Sequence, residues 1–232
     1  YSTLKGNDEQ ENANNGTVGN TPSSINYSEI SNYAQRLPEG YLNQDQRHRA
    51  RGWVGYDVPW PSILGNLNVS VLQNFDSGQS YSAVQTIDLE PYFDKYLPAN
   101  SDYVATPAGR QYYFSDRGAF RLDDVTSTDL AVNYRFPVRG FEIFATGEML
   151  NVFDNDAVTV VNTTVATAWT SANFAPFDPF TDTPKECPQG TAGATCKAMG
   201  ANFQKAAAFG TASSATSYQS ARSWRFQVGF RF

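Results

Sequence analysis

Alternation with a period of two constrains this chain more than any other feature of its sequence. In "SWRFQVGFRF", Trp224, Phe226, Val228, Phe230 and Phe232 fall on one face of an extended strand, and Arg225, Gln227, Gly229 and Arg231 on the other. "RHRARGWVGYDV" sets His48, Ala50, Gly52, Val54, Tyr56 and Val58 against Arg47, Arg49, Arg51, Trp53, Gly55 and Asp57. "LNVSVLQNF" sets Leu67, Val69, Val71, Gln73 and Phe75 against Asn68, Ser70, Leu72 and Asn74. In "TDLAVNYRF" the apolar set is Leu130, Val132, Tyr134 and Phe136, opposite Asp129, Ala131, Asn133 and Arg135. "GFEIFATGEML" alternates less cleanly, with Phe141, Ile143, Ala145, Gly147 and Met149 opposite Glu142, Phe144, Thr146, Glu148 and Leu150. These runs predict an all-β, antiparallel fold with strands over 1–6, 46–58, 66–76, 125–136, 141–153 and 222–232.

The connections between these strands are of two kinds. "PWPSILGN" and "PVRG" are tight and carry the Pro and Gly that turns require. The stretches 7–45, 77–124 and 154–221 are long. Structureless loops beyond about 12–15 residues are uncommon in compact domains, which argues against an ordinary sandwich. Tight turns at one end and long loops at the other is the arrangement of outer-membrane barrels, whose short end is periplasmic and whose long end is extracellular. In such a barrel lipid replaces a core for the apolar face, the polar face looks into the lumen, and aromatic residues sit at the membrane edge. A transmembrane helix needs a longer apolar run than any here, whereas a transmembrane strand needs only about 9–11 residues, every second one apolar. The opening "YSTLKG" reads as the continuation of a strand. Residues 1–232 are therefore expected to form one segment, the last six strands of a larger transmembrane β-barrel with long extracellular loops.

Charge fits this expectation. Lys and Arg total 17 against 23 Asp and Glu, a net charge of -6, which disfavours nucleic acid as a partner. Arg47, Arg49, Arg51, Arg135, Arg225 and Arg231 all fall on polar faces, where a wet lumen lets them pair with Asp57, Asp129, Glu142 and Glu148. On a lipid face near the midplane each would cost about 2–4 kcal/mol.

Chemistry has few residues to work with. His48 is the single histidine, so any Ser-His-Asp or Cys-His site would need it. On an outward face among arginines it reads as a rim residue. One His and two Cys without C-x2-C spacing do not make a zinc site. Cys187 and Cys196, in "CPQGTAGATC", are expected to close a disulfide that braces the longest loop at an oxidising surface. "NDEQENANNG" and "DNDA" lack the full spacing of a calcium loop and read as solvated surface. Matches to N-x-[ST] at Asn15, Asn26, Asn68 and Asn162 are expected by chance in an Asn-rich chain. The loop aromatics Tyr112, Tyr113, Trp169, Phe174, Phe177 and Phe180 are the candidates for ligand capture, with packing of the loops against each other as the rival reading. No catalytic residue, metal or cofactor is assigned.

Five stretches together resemble one family: "LNQDQRHRARGWVGYDVPW", "NVSVLQNFDSGQSYSA", "YYFSDRGAFRLDDVTSTDLAVNYRFP", "GEMLNVFDN" and the terminal "SWRFQVGFRF". In that order and spacing they resemble the C-terminal end of TonB-dependent outer-membrane receptors, nearest the Oar-like subgroup, whose members often carry a carboxypeptidase-regulatory-like domain. The resemblance covers most of residues 41–154 and 222–232. It implies a barrel of about 22 strands around an N-terminal plug. It also implies uptake of a scarce nutrient (a metal chelate, oligosaccharide or peptide) with energy relayed through TonB. The plug, the TonB-contacting segment and the remaining strands would lie outside these residues. The alternating aromatics Trp224, Phe226, Val228, Phe230 and Phe232 resemble the signal read by the barrel-assembly machinery, and lipid and lipopolysaccharide would be further partners. A structural or adhesive surface protein and a general porin remain as alternatives, and neither they nor the receptor is an enzyme.

Overall fold

The computed structural model describes residues 1–6, 39–88, 90–92 and 109–232. "NDEQENANNG" and the positions Asn15 and Asn26 lie outside the described residues. In chain order the described strands are β1 (Lys5–Gly6), β2 (Gly40–Tyr41), β3 (Arg49–Asp57), β4 (Asn66–Asp76), β5 (Ser80–Tyr81), β6 (Val84–Asp88) and β7 (Gly109–Tyr113). They continue as β8 (Phe120–Arg121), β9 (Val125–Val138), β10 (Phe141–Leu150), β11 (Val165–Thr167), β12 (Phe203–Lys205) and β13 (Ser223–Arg231). One short helix, α1 (Gly193–Ala198), lies between β11 and β12. The fold is all-β with every strand pair antiparallel.

The five long strands make one sheet, in the order β13-β10-β9-β4-β3. Its hairpins turn tightly at one end. Arg139 and Gly140, with φ of 22° and 93°, form a two-residue turn whose two positive φ values match the strand twist. At the β3–β4 turn Gly65 has φ 84°, and a Cβ there would lie 2.1 Å from the Arg135 carbonyl oxygen. Trp60 anchors that turn by donating Nε1–H to the Gly65 carbonyl at 2.8 Å, and its ring meets Tyr134 edge-on.

Five of the expected strands appear within a few residues of their expected bounds. The sixth, over 1–6, differs: only Lys5 and Gly6 are strand, and they pair with β2 rather than with the sheet. The opposing segment turns at Leu42–Asp45, closed by the Asp45 N–H on the Leu42 carbonyl at 2.8 Å, and this breaks the ladder. Ser2 still reaches the Arg47 carbonyl. The main sheet thus has five strands where the sequence predicts six.

The long connections fold as well. The two-stranded antiparallel pairs β5–β8, β6–β7 and β11–β12 rise from the other end of the sheet, and a parallel bridge from Val84 to Thr164 joins two of the long connections. They enclose a core of Ala83, Ile87, Tyr112, Phe114, Val165, Phe177, Phe180 and Phe203. A second cluster gathers Phe174, Ala201 and the Cys187–Cys196 disulfide, whose Cα atoms are 5.5 Å apart. The apolar core of this chain is thus in its cap. Among the described residues all of β3 and all of β13 but Gly229 are exposed, Phe226 and Val228 at 76% each.

Both cysteines are fully buried in the second cluster, so the disulfide braces packing as well as a loop. Replacing Cys187 and Cys196 together with Ser should cost the cap about 2–3 kcal/mol, the loop-entropy value for so short a closure. Limited proteolysis of the variant should cut first between Lys185 and Lys205, while the sheet keeps its amide protection. Two alkylatable thiols in the native, unreduced protein would contradict the bond.

Candidate functional site

The pairing register decides what the two faces of the sheet contain. Val54 stands opposite Val71, Val71 opposite Leu130, Leu130 opposite Met149, and Met149 opposite Trp224. The next row is Tyr56, Val69, Val132, Gly147 and Phe226, and the one after joins Leu67, Tyr134, Ala145 and Val228. Rows nearer the tight turns add Phe136, Ile143 and Phe230. Five separately read alternations therefore merge into one continuous face without a charged side chain. Toward the cap it turns polar, where the Gln73 amide donates to Thr126 Oγ1 at 3.0 Å and Thr128 donates to Gln73. His48 lies beyond this edge, its ring against Tyr1, with its N–H on Ser77 Oγ.

The opposite face carries the charges. Register puts Arg49, Arg51, Asp129, Arg135, Glu142, Glu148, Arg225 and Arg231 on it, with Glu148 across from Arg225 and Glu142 across from Arg231. The ion pairs formed by the arginines of β3 are not the expected ones. Arg51 binds Asp76 at 2.6 Å and Arg49 approaches the same carboxylate at 3.6 Å. Asp76 was legible as the last residue of its strand, and Arg49 is its register partner. Asp57 instead accepts from the Asn68 amide at 2.8 Å, and Asp129 accepts the Asn151 N–H at 2.9 Å. Arg47 lies before β3, its guanidinium over the Tyr41 ring at 4.7 Å.

The structure brings Tyr112, Trp169, Phe177 and Phe180 together in the first cluster, places Phe174 in the second, and sets Tyr113 against Arg117. Tyr112, Tyr113, Phe174, Phe177 and Phe180 are buried, and Trp169 meets Phe177 edge-on at 5.0 Å between centroids. Tyr112 packs on Phe114 and Phe177, and Phe114 packs on Phe203. Their density reflects the need of two long connections for a core of their own. A ligand would need exposed ring faces, and the five buried rings present none.

Two groups that sequence reasoning missed tie cap to sheet. Asp45 is 1% exposed, pairs with Arg121 and accepts the Leu4 N–H at 2.6 Å. Tyr41 sits beside it with Lys5, Arg47 and Arg121 against its ring. Burial works against the Asp45 charge. The Arg121 hydrogen bond, the Leu4 N–H and the charges of Arg121 and Arg47 outweigh it and hold the carboxyl below its usual value. At the other edge Asn151 is buried with φ 51°, a conformation Asn tolerates. Its amide donates to the carbonyls of Asn155 and Ser220 at 2.8 and 2.9 Å, and its Oδ1 accepts the Asn155 N–H. The available signal was an Asn directly after an alternating strand in "MLNVFDN".

No family model, no curated protein and no solved structure matches this chain.

The Asp45 latch has a defined pH response. A carboxyl whose folded pKa is depressed contributes stability that is fully present above its unfolded value of about 3.9 and is lost as pH falls through the folded value. Protection of the β1 and β2 amides, corrected for intrinsic exchange, should therefore be flat from neutral pH to about 5 and fall below about 4. Asp45→Asn should lower that protection by about 1–3 kcal/mol at neutral pH and remove the acid-dependent fall. An unchanged pH profile in the variant would assign the latch to other groups.

Proposed function

We propose that the five-stranded sheet is part of the wall of an outer-membrane β-barrel. The chain would be the C-terminal part of a TonB-dependent receptor that takes up a scarce nutrient. The observation that carries this reading is the continuous uncharged face that pairing joins across five strands, with its apolar side chains exposed on both edge strands. Val54, Tyr56, Trp224, Phe226, Val228 and Phe230 are all exposed on it. Left in water they forgo on the order of 10 kcal/mol of burial, at about 1.5–3 kcal/mol for each fully buried side chain. That equals the whole stability of a typical domain. Hydrocarbon covers such a face without a second protein layer.

The dimensions fit as well. From Leu130 to Val138 the apolar rows of β9 run about 27 Å at ~3.4 Å per residue. A strand tilt of about 35–45° reduces this to roughly 20 Å, near the ~25 Å apolar band of such barrels. Trp60, Tyr134 and Phe230 then form the aromatic girdle at the periplasmic edge. The cap faces outward, where an oxidising surface suits the Cys187–Cys196 bond. Membrane barrels begin at about eight strands, so β3 and β13 require further strands of the same receptor along their open edges. No helix among the described residues is long and apolar enough to cross a membrane.

The faces can be tested by placing one charge on each. Val228→Arg should cost about 2–4 kcal/mol of folding free energy in lipid, and Gln227→Arg less than about 1 kcal/mol. The measurement is the amount of heat-modifiable, folded protein recovered from outer membranes, followed by urea titration in lipid. Equal losses for the two variants would overturn the assignment of the apolar face to lipid.

A further inference from the structure

One row of the polar face does not match its surroundings. Trp53, Leu72 and Asp129 lie side by side in register across β3, β4 and β9, and Leu150, the last residue of β10, lines the same concavity. Three of these four are large and apolar on a face that, Phe144 over Gly229 apart, carries mostly charges, amides, hydroxyls and small residues. Trp53 is 81% exposed, so its indole is not held by packing, and Leu72 is exposed beside it. With Ser70, Ala131 and Glu148 in the adjoining row, these side chains line a shallow concavity of about 330 Å³.

We infer that this concavity binds a neutral glycan, with the Trp53 indole as the platform for a sugar ring and Glu148 as acceptor for its hydroxyls. The inference rests on the barrel reading, which makes this face the lumen wall, and it names the substrate class. The arginines of β3 are engaged by Asp76, and Asp129 accepts the Asn151 N–H, which leaves Glu148 as the acceptor. Two rows from Trp53 toward the tight turns stand Asn68, Asn133, Thr146 and Gln227, with Asp57 at the β3 end of the same row. The Asn68 amide bonds to Asp57, and Thr146 Oγ1 donates to Asn133 Oδ1 at 3.0 Å. Amides and hydroxyls both donate and accept, as a polyhydroxylated chain requires. An indole offers a large apolar face to the C–H side of a sugar ring, and an aromatic wall with a few placed polar groups is how small ligands are commonly held.

The test uses the protein purified in detergent from outer membranes, with maltohexaose, xylohexaose and mannohexaose as neutral probes and hexalysine as the charged control. N-bromosuccinimide oxidises exposed indoles, and peptide mass spectrometry reads the fraction oxidised at Trp53. At least one neutral hexasaccharide should protect Trp53. Its affinity, read by calorimetry, should fall about tenfold in Trp53→Ala, the loss of one stacking contact, and much less in Trp53→Phe. Glu148→Gln should weaken binding a few-fold without making it salt-dependent. Insertion of Trp53→Ala at normal heat-modifiable levels with unchanged affinity would overturn the site alone. Protection by hexalysine but by no sugar would assign the concavity to a cationic ligand and overturn the glycan. A parent protein that never inserts in the membrane would overturn the barrel reading and the site with it.

Discussion

The register of the backbone ladder is the constraint on which the rest of this structure depends. Side chains alternate with a period of two, so a slip of one residue in any strand would send its whole apolar set to the opposite face. Register is usually held by a buried core on one side of the sheet, and among the described residues the edge strands have none. It is held instead by the ends. At one end the Arg139–Gly140 turn and the Gly65 contact with Arg135 leave no freedom to slide. At the other, Asn151 and Asp45 fix the strands to the folded cap. Within the sheet Phe144 lies over Gly229, where a Cβ would fall 2.4 Å from the ring, so an aromatic covers the gap a glycine leaves on the polar face.

This division of labour explains where burial occurs. A sheet whose edge strands leave their apolar side chains exposed is not the hydrophobic core of the described residues. The long connections carry a core of their own, built from aromatic rings on short strand pairs and closed by a disulfide. The strands of these pairs are only two to five residues long, and two-stranded pairs are marginal in isolation. Packing three of them around Tyr112, Phe114, Phe177 and Phe203 gives each an apolar neighbour that it lacks alone.

The sheet was legible in the sequence because alternation is a local signal, and five strands read one at a time predicted faces that their pairing then joined. The cysteine pair was legible for a similar reason, two Cys in one loop. Ion pairing was not. The expected partners of Arg51 were named by sign of charge alone, whereas the choice of Asp76 follows from register, which brings it beside Arg49 and within reach of Arg51. The six loop aromatics left two readings open, ligand capture and packing, because a loop long enough to need a core carries the same residues as one that captures a ligand; five of the six are buried. Trp53 shows the reverse case. By alternation it fell among the arginines, and only its register partner Leu72, with Leu150 lining the same concavity, makes it conspicuous.

Asn151 shows how closely cap and sheet are joined. It is the first residue past β10, it is buried, and its backbone is left-handed. Alanine would lose the side-chain bonds to Asn155 and Ser220, and glycine would accept the backbone but lose the same bonds. Aspartate would keep the acceptor and put a second carboxylate next to Asp129, which already receives the Asn151 N–H. Asparagine alone among these provides the conformation, two donors and an acceptor without charge. The last residues of β10, the start of β13 and the first turn of the cap thus share one buried amide. Movement of the cap at this edge cannot occur without breaking hydrogen bonds that also define where the sheet ends.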